Sequence, residues 1–305
     1  MRPRFSRDIS GILLLDKPSG LTSNAALQRV RRLYGAAKAG HTGSLDPLAT
    51  GLLPICLGQA TKLSSYLLEA DKRYVVRASV GTCTSTADAE GEVVRRSDAA
   101  TLTRPALEAA LPGFAGNILQ RPPMYSALKH EGQRLYELAR QGREVEREAR
   151  PVNITILKLL DFGPGFFELD VRCSKGTYIR SLVEDLAAAA GQCAHVASLR
   201  RLEAGPFKEA GMVTAARLEQ TAGQGIEALD ALLLDPLAGL EGWVQVAVDP
   251  ARTARLAQGQ AVRLDSPPPP GRVAVVDGQP RLLGIGEVDA QGLLHPRRWL
   301  SGALA

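Results

Sequence analysis

Two periods alternate along this chain, and its elements begin and end where one gives way to the other. Residues 11–18 form an apolar run closing on the turn Asp16-Lys17-Pro18-Ser19-Gly20, which predicts a short strand. Thr22 or Ser23 then caps a helix to about Tyr34, because Leu27, Val30, Leu33 and Tyr34 recur on one helical face. A glycine-flanked loop at 40–47 precedes an apolar run at 52–57, a helix at 60–69 and a strand at 74–80. Thr103 and Pro105 open another helix, Thr103 as cap and Pro105 in the first turn. Two strands follow residue 150. In the second, Phe167, Leu169, Val171 and Cys173 alternate with Glu168, Asp170 and Arg172, the period of a half-buried strand. The turn Ser174-Lys175-Gly176-Thr177-Tyr178 leads into a helix ending at Gly191.

Beyond residue 240 the helical patterns stop. Short strands at 243–248, 260–264, 272–277, 281–288 and 292–295, separated by Gly/Pro turns, predict a small all-β module shaped as a compact barrel. The chain thus divides into a body of residues 1–240 and a module of residues 241–305. Within the body, residues 121–150 read as an insertion, with seven basic and five acidic side chains and a short helix stopping near Gly142.

The 305 residues are 45% hydrophobic and 23% charged, an ordinary globular balance that excludes disorder, collagen and coiled coil for the whole chain. No apolar run approaches the ~18–20 residues of a membrane span, and none near the start would serve as a signal-peptide core. Cys56, Cys83, Cys173 and Cys193 are far apart, and the four histidines lack metal-ligand spacing. Free thiols in a cytoplasmic protein without metal are therefore expected. The net charge of +5 is uneven: residues 1–40 hold eight Lys/Arg against two acids, and residues 214–250 one Arg against six acids. That asymmetry fits either a polyanion docked at specific places or a pair of solvated faces.

Asp46 lies in the loop Gly43-Ser44-Leu45-Asp46-Pro47, where Pro47 disfavours helical dihedrals at Asp46 and the flanking glycines permit a tight path. A carboxylate fixed this way suits a nucleophile or general base, or an Asx turn that stabilises its own loop. Arg180 fits either an ion-pair partner for such a carboxylate or a surface ion pair. Tyr74 and Tyr178 fit base stacking or ordinary packing, and His41 a wedge or a solvated loop side chain.

Read together, three segments resemble motifs of the bacterial tRNA pseudouridine synthase B family. They are residues 40–54 around His41 and Asp46, Lys72-Arg73-Tyr74, and residues 174–180 ending in Tyr178-Ile179-Arg180. Residues 16–20, 121–129 and 195–202 look like further family segments. The resemblance covers about residues 10–215 closely and residues 241–305 more weakly, as a PUA-type RNA-binding domain. It implies an α+β pseudouridine-synthase fold: a mixed, mainly antiparallel central sheet flanked by helices, plus a small PUA-like β-barrel. The implied activity, without cofactor, is isomerisation of the T-loop uridine of tRNA, position 55. Asp46 matches the catalytic aspartate, Arg180 its ion-pair partner and Tyr74 the tyrosine that stacks on uracil near the final proton transfer. His41, Tyr178 and Leu199 map to substrate contacts. Lys17, in the first family segment, and Arg29, Arg31 and Arg32, off the apolar face of the first helix, are also expected to contact RNA. Residues 121–150 look like an RNA clasp, and the C-terminal module is expected to reach toward the acceptor stem of a tRNA bound by a monomer. A non-catalytic tRNA-folding protein and a guide-RNA-dependent ribosomal RNA synthase stay open as alternatives.

Overall fold

The computed structural model describes residues 7–300. The chain opens with β1 (Gly11–Lys17), α1 (Ser23–Tyr34), β2 (Ala39–His41), β3 (Thr50–Leu57), α2 (Ser64–Glu69) and β4 (Lys72–Val80). The hairpin of β5 (Thr82–Thr84) and β6 (Val93–Arg96), then α3 (Arg104–Ala110) and β7 (Gly116–Gln120), lead to the insertion. The insertion contains β8 (Lys129–His130), β9 (Gln133–Arg134) and α4 (Leu135–Arg140). The body closes with β10 (Arg150–Gly163), β11 (Phe166–Cys173), α5 (Ile179–Ala189), β12 (Ala194–Ala204), β13 (Phe207–Lys208), β14 (Val213–Thr214), α6 (Ala215–Gln224) and α7 (Ile226–Asp230). The C-terminal module holds β15 (Gln245–Ala247), α8 (Pro250–Ala257), β16 (Val262–Arg263), β17 (Gly271–Val276), β18 (Leu282–Val288) and β19 (Leu293–Trp299).

Ten strands of the body make one sheet, ordered β14-β1-β3-β12-β4-β11-β10-β7, with β2 on β3 and β13 on β12. Only β1–β14 and β3–β12 pair in parallel, so the sheet is mixed and mainly antiparallel, as expected. Its strands differ in pattern because they differ in what covers them. β4 alternates: Tyr74, Val76 and Ala78 face the core, while Arg73 and Arg77 face out and pair with Asp170, Glu203 and Glu168. β1 and β3 read as unbroken apolar runs because both of their faces are buried. Leu13 and Leu15 join Leu27 and Val30 of α1 and Leu182 and Leu186 of α5 in one cluster. Ile12, Leu14, Leu52 and Cys56 form a second cluster with Ala274, Leu282, Ile285 and Leu300 of the module.

The helix from Thr22 forms as expected: the Thr22 hydroxyl accepts from the Ala25 N–H, and Gly35 closes the helix at φ +58°. The expected helix at 60–69 is instead a 3₁₀ segment, Gly58–Leu63, followed by α2. In the module, five strands form a curled half-barrel sheet ordered β15-β17-β18-β19-β16. Helical pattern does not stop at 240, however, because α8 intervenes, capped by Asp249 with Pro250 at its first position.

The charge asymmetry proves partly internal. Arg7, from the basic first segment, forks onto Asp230 of the acidic stretch at 3.1 and 2.5 Å. Arg29 of α1 pairs with Glu219 of α6, its Nε 2.7 Å from the carboxylate. Basic and acidic segments thus meet across the α1–α6–α7 face, where Arg7 and Arg29 of the first segment have carboxylate partners within the fold.

Candidate active site

The Asp46 loop joins β2 to β3, and neighbouring elements hold it by its backbone. The Thr42 N–H donates to the Pro54 carbonyl at 3.1 Å, and Arg201 Nη2 donates to the Gly43 carbonyl at 3.1 Å. Ser23 at the start of α1 accepts from the Leu45 N–H at 2.7 Å and donates to the Leu45 carbonyl at 3.0 Å. The Pro47 carbonyl accepts from the Gly20 N–H at 2.8 Å and from Lys17 Nζ at 3.2 Å. The loop enters β3 through Gly51 at φ +95°, where a Cβ would lie 2.3 Å from the Arg201 carbonyl oxygen. Only glycine fits there.

With its backbone so fixed, Asp46 aims its side chain away from its own loop and onto Arg180. Arg180 Nε lies 2.9 Å from one carboxylate oxygen and Nη2 3.4 Å from the other. The Arg180 side chain is 6% exposed and that of Asp46 39%, so the pair is closed at the back and open to the cleft. The guanidinium is held from behind by the carbonyls of Thr86 and Tyr125, each at 2.7 Å, and Asp88 stands 3.8 Å from its Nε. Asp88 is itself fixed by Thr86 Oγ1 at 2.5 Å and the Glu90 N–H at 3.1 Å. Between Thr86 and Asp88, Ala87 takes φ +60°, an unusual conformation for a residue with a Cβ.

These groups line one cleft of about 1440 Å³, larger than the roughly 300–1,000 Å³ of ordinary small-molecule pockets. Asp46, Tyr74, Arg180, His41, Tyr178 and Leu199 all face it, as expected. The insertion roofs it with Tyr125, Lys129, Arg134, Tyr136 and Arg140. Three further lining residues escaped the sequence reading. Arg201 is 1% exposed and braces β3 through the Leu52 carbonyl at 2.7 Å; the alternation along β12 turns it inward while Arg200 pairs with Asp16. Lys72 is buried beside Tyr74, its ammonium held by the Leu68 and Ala70 carbonyls at 2.6 and 2.5 Å. Asp88 sits in a loop with no local pattern to announce it.

Burial in the cleft raises the Asp46 carboxyl above its ordinary value; Arg180 opposes the rise and Asp88 adds to it. Burial likewise raises the Tyr74 and Tyr178 phenols, so both stay protonated, and it lowers His41, with Arg201 adding to the effect, so that ring is neutral near pH 7. Burial and Arg201 bring Lys72 down to about 8. If the ionised form of Asp46 is the active one, activity disappears as pH falls through a raised pKa. The acid limb of kcat/KM is then expected above the ~3.9 of a free aspartate. A limb at or below that value would take Asp46 out of the rate-determining ionisation.

Of the four further expected RNA contacts, Lys17 needs correction. Lys17 is fully buried and does not line the cleft; its ammonium donates to the carbonyls of Pro18, Leu21 and Pro47 at 2.9, 2.7 and 3.2 Å. It braces the Asp46 loop instead of touching substrate, because a buried ammonium must spend its protons on internal acceptors. Arg29 is engaged by Glu219, and Arg31 donates to the Ala36 and Ala37 carbonyls at 3.1 and 2.9 Å. Arg32 is exposed, but none of the three arginines lines the cleft, which meets α1 at its other end through Thr22, Ser23 and Asn24. The cationic lining comes from the insertion, from Lys175 and from the buried Lys72, Arg180 and Arg201.

Three family models match the chain in succession. Residues 31–179 match the TruB family pseudouridylate synthase N-terminal domain, residues 180–239 the tRNA pseudouridylate synthase B C-terminal domain, and residues 244–300 the pseudouridine synthase II TruB C-terminal model. The chain is 56% identical to tRNA pseudouridine synthase B of Stutzerimonas stutzeri and 53% identical to that of Pseudomonas aeruginosa, in each case over 97% of both chains. Among solved structures, a Cbf5–Nop10–Gar1 complex matches with a TM-score of 0.75 at 24% identity, covering 96% of this chain and 85% of that one. An H/ACA RNP bound to a substrate RNA containing 2′-deoxyuridine matches at 0.74 and 22%, covering 96% and 86%. At such identities the structural likeness speaks for the fold.

Proposed function

Since this chain belongs to the TruB family of pseudouridylate synthases and isomerises uridine to pseudouridine in tRNA, we propose that Asp46 performs the isomerisation on the T-loop uridine, position 55. The observation that carries this reading is the Asp46–Arg180 pair, with its carboxylate open to the cleft and its guanidinium sealed behind it.

The reaction breaks the bond from the sugar C1′ to N1 of uracil, turns the base, and forms a bond from C1′ to C5. The hydrogen of C5 is lost and N1 gains one, so nothing enters or leaves overall. Asp46 either attacks C1′ or takes a proton in an elimination across the sugar, and both routes need its ionised form. Arg180 serves both by orienting the carboxylate and favouring its charge. Reaching a uridine stacked inside folded RNA costs a few kcal/mol. Stacking on Tyr74 returns about 1–3 kcal/mol. Tyr74, its phenol raised by burial, stacks on the uracil and lies near the final proton transfer. Leu199 and Tyr178 close the walls around the base, and the neutral His41 ring fills the space that the nucleotide vacates.

The T-arm lies in the cleft beneath the basic side chains of residues 121–150, and residues 241–305 reach toward the acceptor stem of a tRNA bound by one cytoplasmic monomer. Purified protein, given unmodified tRNA and no guide RNA, is expected to introduce one pseudouridine in the T-loop, read by mass-spectrometric mapping. Modification at another position, or a requirement for a guide, would overturn the assignment.

A further inference from the structure

The insertion leaves the sheet at a narrow neck. Gln120, the last residue of β7, is paired with Arg150, the first of β10, and the whole of 121–149 emerges between them. At that neck Gln120 is 3% exposed, and its side chain turns away from the insertion toward α5. Its Oε1 accepts from the Tyr178 N–H at 2.8 Å and its Nε2 donates to the Tyr178 carbonyl at 3.0 Å. A side-chain amide that meets both polar groups of one residue imitates a strand neighbour and fixes that residue's position and orientation. Tyr178 is the cap of α5 and makes no side-chain cap bond of its own, so this clamp sets how the helix begins. Arg180 stands two residues further on.

Two other bonds join the same pieces. Arg180 Nη2 donates to the Tyr125 carbonyl at 2.7 Å, and Ser181 Oγ to the Arg121 carbonyl at 3.3 Å. The first residues of the insertion and the first turn of α5 are therefore stapled together, and the guanidinium that meets Asp46 belongs to the staple. We infer that Gln120 is a positioning residue for the reaction: through Tyr178 it sets the aim of Arg180 at Asp46 and makes the neck of the insertion part of the catalytic geometry. This rests on the reading of Asp46 as the reacting carboxylate.

The test compares Gln120→Leu and Gln120→Glu with the unaltered full-length protein on a T-arm RNA hairpin. Gln120→Leu removes both bonds; Gln120→Glu keeps the acceptor for the Tyr178 N–H and loses the donor. Misaiming a catalytic pair costs roughly 10- to 100-fold in rate, so kcat should fall by that much in the Leu variant and by less in the Glu variant. KM should stay within about twofold, because Gln120 is buried and does not line the cleft. The acid limb should move upward, because Arg180 is what opposes the rise of the Asp46 pKa. A purely structural role would not move that limb. A folded variant with unchanged kcat and limb, or a rise confined to KM, overturns the inference. If the Leu variant does not fold, the Glu variant carries the same comparison. Asp46→Asn serves as the separating control: if it turns over normally, the reading of Asp46 fails, whereas an inactive Asp46→Asn beside an unaffected Gln120→Leu refutes only the role of Gln120.

Discussion

Asp46→Asn is expected to lower kcat by at least about three orders of magnitude, the scale on which losing the reacting group of a catalytic unit is felt. Affinity for a T-arm hairpin should stay within about threefold, since the amide keeps the size of the carboxylate. Both follow from the position of the side chain. The Asp46 side chain is not what holds its own loop: Ser23, Arg201, Lys17, Gly20 and Pro54 hold that loop by its backbone, and the carboxylate is left to Arg180 and the cleft. An amide can still accept from Arg180, so the loop keeps its shape. Single-turnover pseudouridine formation beside filter binding measures the two quantities. A normal rate would remove Asp46 from the mechanism; a parallel collapse of binding would make it a recognition residue.

The second large effect is expected at Arg180. Arg180→Met keeps much of the side chain's bulk and deletes every donor, leaving the carbonyls of Thr86 and Tyr125 and the buried carboxylate of Asp88 without their cation. Removing one partner from a buried charged cluster costs about 3–5 kcal/mol, so the melting temperature should drop sharply at neutral pH. The deficit should shrink as pH falls, because Asp46, raised by burial and deprived of the guanidinium that opposes the rise, is relieved by protonation. Where the variant is folded, kcat should fall by about 10²–10³-fold, comparable to loss of one preorganised donor. Calorimetry at two pH values and rates at matched folded fraction check both halves. A stable variant would mean that the cluster is better hydrated than its burial indicates. An active one would mean that Asp46 needs no partner.

How much of this was legible beforehand differs by level. β4 and β11, buried on one face, alternate plainly, and α1 carries its cap and its apolar stripe in adjacent residues. β1 and β3 are visible only as apolar runs: a residue sequence shows that both faces are covered but not which segments cover them. The α8 signal, Asp249 followed by Pro250, is present but lies among Gly/Pro turns between strands, where a strand period dominates the eye. At the site, the contiguous stretches around Asp46, Tyr74 and Arg180 could be read. The groups that complete it could not, because Asp88 and Gln120 matter through partners 92 and 58 residues away in the chain. Lys17 shows the opposite failure. A lysine in a polar stretch looks available, yet carbonyls can already hold it.

The apolar cluster that Ile12, Leu14, Leu52 and Cys56 share with Ala274, Leu282, Ile285 and Leu300 sets the folding unit of the molecule. β1 and β3, which frame the Asp46 loop, share that cluster with Leu63 and Leu67 just after them in the chain, with Leu240 at the end of the body, and with the module beyond. Removing the module would take Ala274, Leu282, Ile285 and Leu300 out of the cluster that backs the strands holding the loop, so truncation is not a clean way to separate RNA grip from chemistry. The cluster crosses the boundary near residue 240, so the two parts, chained in series along the backbone, are expected to melt together.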